Sequence, residues 1–100
     1  MSAKAATPPT KGLTREVEVC NKLGIHARPA AVIARIATGY KHTEVFVEKE
    51  GEKINGKSIM GLLMLAAGPG TRLTLHADGK DAAQVLTELE KFFKRKFDED

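Results

Sequence analysis

Valine and charge alternate over residues 15–20 (Arg-Glu-Val-Glu-Val-Cys). A period of two puts Val17 and Val19 on one face and predicts a half-buried strand. The period changes after Pro29. Ala30, Ile33, Ala34 and Ala37 fall at the i, i+3, i+4, i+7 spacing of one helical face, which predicts a helix over 27–38. Arg28, Ala31 and Arg35 fall on its outer side, and Gly39 is placed to end it in a left-handed conformation. Alternation returns over 43–48, with Val45 and Val47 opposite Phe46. A charged turn then leads to a short strand over 53–55, completing a hairpin. Ser58 is placed to cap a short helix over 59–65, because its hydroxyl can accept from a first-turn N–H. Gly68-Pro69-Gly70 marks a turn before a fourth strand over 71–77. Leu73, Leu75 and Ala77 point inward there, and His76 lies on the polar face as a surface histidine. A last helix, capped by Asp81 or a near neighbour, runs to about Phe93 or a little beyond, burying Ala82, Val85, Leu86, Leu89 and Phe93. The final residues 98–100 are expected to fray.

This order, βαββαβα, predicts an α+β open-faced sandwich: a four-stranded antiparallel sheet covered on one face by three helices. Residues 1–13 show no periodicity and contain Pro8-Pro9, so they are expected to form a disordered N-terminal tail, leaving 14–97 as one domain. A chain of 100 residues has room for one modest core.

Composition narrows the function. No apolar run is long enough to cross a bilayer and no hydrophobic signal segment is present, so a cytoplasmic protein without membrane insertion is expected. A single cysteine, Cys20, excludes an internal disulfide and suits a reducing compartment. That cysteine and the scattered His26, His42 and His76 have no ligand spacing, so neither a metal nor a cofactor is expected. The net charge of +3 is dispersed, and there is no aromatic stacking platform, which argues against nucleic acid as a partner.

The densest chemistry lies in Gly24-Ile25-His26-Ala27-Arg28-Pro29-Ala30. Pro29 lacks an N–H and has a fixed φ, so it fits the first turn of a helix and little further in. His26 therefore stands at the helix mouth, where unpaired backbone N–H groups and the positive end of the dipole favour an anion such as phosphate. Arg28 adds a guanidinium able to grip phosphate oxygens in a fork. A histidine in this position reads either as a phosphorylated nucleophile or as a plain surface or capping residue; spacing alone favours the second. Two further features stay open from pattern alone. Ser58 is a cap or a modification site. The short helix is apolar nearly all round, so Ile59, Met60 and Leu63 are either core or an exposed partner patch.

The run Asn21-Lys22-Leu23-Gly24-Ile25-His26-Ala27-Arg28-Pro29-Ala30 resembles the active-site signature of the HPr family, the histidine phosphocarriers of the phosphoenolpyruvate-dependent phosphotransferase system. The run from Asn55 to Leu65 is similar to the segment that holds the family's regulatory serine. Both motifs stand in family order, and the resemblance spans about residues 14–95. It implies that His26 is the phosphoryl acceptor, on Nδ1 (pros-phosphohistidine), with Arg28 pairing with the phosphoryl group and the backbone of Ala27 and Arg28 cradling it. It implies Enzyme I as donor, an Enzyme IIA as recipient, and a monomeric carrier rather than an independent turnover enzyme. Ala31, Ile59, Met60 and Leu63 match the family's docking surface, and Ser58 matches a serine addressed by an HPr kinase/phosphorylase. A regulatory module acting through Ser58 is the alternative function. Residues 21–24, 62–65 and 97–100 look like the nitrogen-related carrier NPr, whereas 57–61 looks like the sugar-system protein.

Overall fold

The structure, a computed structural model, describes residues 12–99. Four strands, β1 (Leu13–Glu18), β2 (Thr43–Lys49), β3 (Glu52–Asn55) and β4 (Arg72–Gly79), form one sheet in the order β1-β4-β2-β3. All neighbours are antiparallel, with Val17 opposite Leu73 and Val45 opposite Ala77. Val17, Val45, Val47, Leu73, Leu75 and Ala77 project from one face of the sheet and are buried. Helices α1 (Ala27–Thr38), α2 (Ile59–Met64) and α3 (Ala82–Lys94) complete the fold. Between β1 and β4 on one side and α1 on the other lies α3, while α2 packs on α1 and β3. The opposite sheet face stays wet, as the alternation predicts: Glu16, Glu44 and Arg72 are exposed.

The helical stripes are buried as read, with Pro29 added to α1 and Phe92 to α3. Several local expectations need correction. The first strand starts at Leu13, not Arg15, and Val19 follows the strand; it is buried and still pairs with the 70–71 turn through its N–H and C=O. The fourth strand continues beyond residue 77 through Asp78 and Gly79, because both pair with β2. Gly39 is right-handed (φ −64°): its N–H reaches back to the Arg35 and Ile36 carbonyls, so the helical sense continues and the glycine's freedom goes unused. Asp81 makes no side-chain cap, since its ψ of 32° lies outside the extended region that capping needs. Its N–H instead donates to Thr43 Oγ1. His76 is half-buried rather than a free surface residue, and its Nε2 lies 2.7 Å from Glu48 Oε1. Of the expected tail, residues 1–11 lie outside the described residues, and Leu13 is already in β1.

The largest difference follows α3. Asp98 and Glu99 were expected to fray, yet the turn Lys96–Asp98 is packed down, and only Asp100 lies outside the described residues. Phe97 is buried, its ring centroid 5.0 Å from that of Phe92 and 4.9 Å from that of Phe93. Lys96, Phe97 and Asp98 all have left-handed φ values of 57–59°. Each such non-glycine residue costs about 1 kcal/mol or more, so the aromatic packing must over-determine the turn. Arg95 adds a clamp, donating from Nε to Asp98 Oδ1 at 2.8 Å. That ion pair is exposed and raises the guanidinium's pKa while lowering the carboxyl's.

Candidate functional site

A loop joining β1 to α1 carries the site. Gly24 has φ +71°, a conformation that costs glycine nothing, and a Cβ there would collide with the Ala67 carbonyl. The same carbonyl accepts the Ile25 N–H at 2.9 Å. This close approach pins the loop to the segment after α2 and sets the next residue, His26, at the N-cap of α1.

His26 is extended (φ −97°, ψ −169°), and its carbonyl accepts the Ala30 N–H at 3.0 Å as the first bond of the helix. Its ring makes no capping bond. The side chain is 34% exposed. Beyond it, the Ala27 and Arg28 amides have no partner among the described residues, and Pro29 brings no N–H to satisfy. Arg28 is exposed and forms no ion pair among the described residues. An imidazole, two open amides and a guanidinium thus share one end of one helix. That set can hold an anion against the ring.

Two residues at the site escaped the sequence reading. Glu99 places Oε2 2.8 Å from His26 Nε2, and its Oε1 accepts from Asn21 Nδ2 at 2.9 Å. Asn21 is 1% exposed, and its Nδ2 also donates to the Gly24 carbonyl at 2.9 Å, tying the carboxylate to the histidine loop. Its Oδ1 is buried without a partner among the described residues, a cost of about 1–3 kcal/mol. The Glu99 carboxyl is held below its usual range, first by the Asn21 hydrogen bond and then by the His26 bond and the positive charges of His26 and Arg28, against opposing desolvation. Asn21 lay inside the quoted motif, but nothing local marked it as buried. Glu99 had no signal within reach, although Phe97, four residues after Phe93, hinted that the chain stays packed there.

Ser58 caps α2, its Oγ accepting the Gly61 N–H at 3.0 Å. Along α2, Leu62 is buried, whereas Ile59 (46%), Met60 (69%) and Leu63 (37%) are exposed. The open question about this helix therefore resolves as an exposed apolar strip. Met64 and, in the His26 loop, Leu23 are each 71% exposed and were not anticipated. Ala31 and Ile59 line one groove with Arg35 and Lys57, so the structure brings α1 and α2 residues onto a common surface. No metal-holding group of three or more His, Cys, Asp or Glu side chains occurs among the described residues. Nor is any helix there long and apolar enough to cross a membrane.

Comparison with known proteins agrees with this architecture. The family model described as "PTS HPr component phosphorylation site" matches residues 13–95. Phosphocarrier protein HPr of Neisseria meningitidis is 46% identical over 77 residues, 77% of this chain and 85% of that protein. The HPr-like protein Crh of Bacillus subtilis is 47% identical over 75 residues, 75% of this chain and 87% of that protein. Among solved structures, HPr of Thermoanaerobacter tengcongensis superposes with a TM-score of 0.83 at 35% identity, covering 88% of this chain and 98% of that one. The family model and these relatives define a phosphotransferase-system carrier. The chain belongs to the HPr family of phosphocarriers.

Proposed function

We propose that His26 accepts a phosphoryl group on Nδ1 from Enzyme I, charged by phosphoenolpyruvate, and passes it to an Enzyme IIA, in sugar uptake or nitrogen-related regulation. The observation that carries this reading is the half-exposed His26 ring at the mouth of α1, beside the open amides of Ala27 and Arg28. A neutral imidazole is a good nucleophile near physiological pH. Transfer is in line and needs charge neutralisation more than covalent help from the protein. The amides supply it from fixed positions, so little of their reorganisation is needed at the moment of transfer, and the exposed Arg28 side chain adds its charge. Partial exposure suits a carrier, because the phosphate must leave again. Ala31, Ile59, Met60 and Leu63 form the docking surface for both partners. The protein acts as a cytoplasmic monomer whose functional domain runs from Leu13 in β1 to Glu99 at the His26 ring.

Incubation with Enzyme I and phosphoenolpyruvate, read by intact mass before and after acid, tests this. One acid-labile phosphate is expected on the wild type and none on His26→Ala. A folded wild type that takes up no labile phosphate from an Enzyme I of the same cell would sink the reading.

Ser58 supports a second role. It is half-exposed, caps α2 and borders the apolar strip, and the relative Crh is named as HPr-like rather than as a phosphocarrier. A dianion placed there by an HPr kinase/phosphorylase would repel acidic partners from the docking surface. This role predicts an acid-stable phosphate that Ser58→Ala abolishes.

A further inference from the structure

Resting on the reading of His26 as acceptor, we propose that Glu99 is a positioning residue for the transfer: its carboxylate keeps the proton on His26 Nε2, which leaves Nδ1 as the nucleophile and keeps the phosphorylated ring transferable.

An ionised carboxylate only accepts, so at 2.8 Å from Glu99 Oε2 the Nε2 atom must carry the hydrogen. In the neutral ring the lone pair then belongs to Nδ1, which makes no hydrogen bond among the described residues. The carboxylate is itself fixed. Its second oxygen takes the Asn21 Nδ2–H, and that buried amide also holds the Gly24 carbonyl. The backbone agrees independently. Three successive non-glycine residues, Lys96, Phe97 and Asp98, stay left-handed immediately before Glu99, and strain of this kind persists where the surroundings enforce it. The buried Phe97 and the Arg95–Asp98 clamp enforce it here, and the result is a carboxylate delivered to the ring.

In the reaction the Nδ1 lone pair attacks phosphorus. The Nδ1–P bond forms as the donor's bond to phosphorus breaks, and the donor keeps that electron pair. No proton moves. The ring becomes a phosphorylated imidazolium whose Nε2–H faces Glu99. Onward transfer reverses these changes: the Nδ1–P bond breaks, and a neutral ring departs with its Nε2–H. A ring stripped of that proton would have to leave as an anion, a far poorer leaving group. Glu99 therefore protects the transfer potential of the bound phosphate. The charges acting on Glu99 are those of His26 and of Arg28 from α1, while the adjacent Asp98 is engaged by Arg95.

Nitrogen-15 NMR of His26 in the wild-type chain, at a pH where the ring is neutral, is the first measurement. A protonated Nε2 and a bare Nδ1 are expected; a proton on Nδ1 overturns the proposal whether or not any variant folds. The second measurement is the rate of phosphorylation by Enzyme I, and of onward transfer to an Enzyme IIA, across pH for wild type, Glu99→Ala and Glu99→Gln. Glu99→Ala is expected to slow transfer about tenfold and to bring the alkaline limb of onward transfer down by about one pH unit. Glu99→Gln can still accept from Nε2–H, so it keeps the ring tautomer but shows the same alkaline displacement. Variants with wild-type rates and limbs overturn the positioning role. If they do so while His26→Ala still abolishes the labile phosphate, the acceptor reading stands; a labile phosphate persisting in His26→Ala removes that reading instead.

Discussion

Gly24 decides where the His26 ring stands. Its left-handed φ and its contact with the Ala67 carbonyl leave no room for a Cβ, so the loop can make its turn only with glycine. Gly24→Ala is expected to cost about 2 kcal/mol or more, from strain and collision together. Denaturant unfolding measures that cost, and the slower phosphorylation expected of the folded fraction reports the displaced ring. His26 itself was legible at this scale. A histidine followed by proline three residues on and then a helical stripe places itself at a helix mouth. Gly39 and Asp81 were misread for a shared reason: a residue's type states what it can do at a helix end, and the surrounding hydrogen bonds decide whether it does so.

At the scale of elements, α2 shows two kinds of apolar residue in six positions. Leu62 faces the core and Met60 faces outward. Leu62→Ala should therefore destabilise the fold by about 2–5 kcal/mol. Met60→Ala should leave stability within about 0.5 kcal/mol while raising the KM for Enzyme I. Equal losses of stability in the two variants would contradict this division. The sequence pattern could not make it, because a helix apolar all round has no period to read. The strands were legible for the opposite reason. Alternating burial against one helical layer repeats every second residue, and Val45, Val47, Leu73, Leu75 and Ala77 carry that repeat without interruption. The turn Lys96–Asp98 was not legible, since it is left-handed without glycine and rests on rings from α3.

For the whole molecule, the contact between Glu99 and the β1–α1 loop makes stability depend on pH. The Glu99 carboxyl is depressed in the fold, chiefly by Asn21, so the folded state binds fewer protons than the unfolded one as this group titrates. Its stabilisation is complete above the ordinary carboxylate range and is lost as pH falls through the depressed value. The margin in melting temperature of wild type over Glu99→Gln should therefore shrink below about pH 4.5 and close at lower pH. A margin that grows as pH falls below about 4.5 would contradict the assignment of Asn21 and His26 as its partners. The sheet order and the burial of one face followed from the element order, but this long-range contact did not. It joins residues 73 apart, and no window along the chain contains both.

That separation also has a meaning in time. At about 5–20 residues per second, a ribosome adds Glu99 roughly 4–15 s after His26. In that interval every element from α1 to α3 is made. The signature loop is thus made well before the carboxylate that meets its ring, and a chain stopped short of Glu99 carries His26 without that contact.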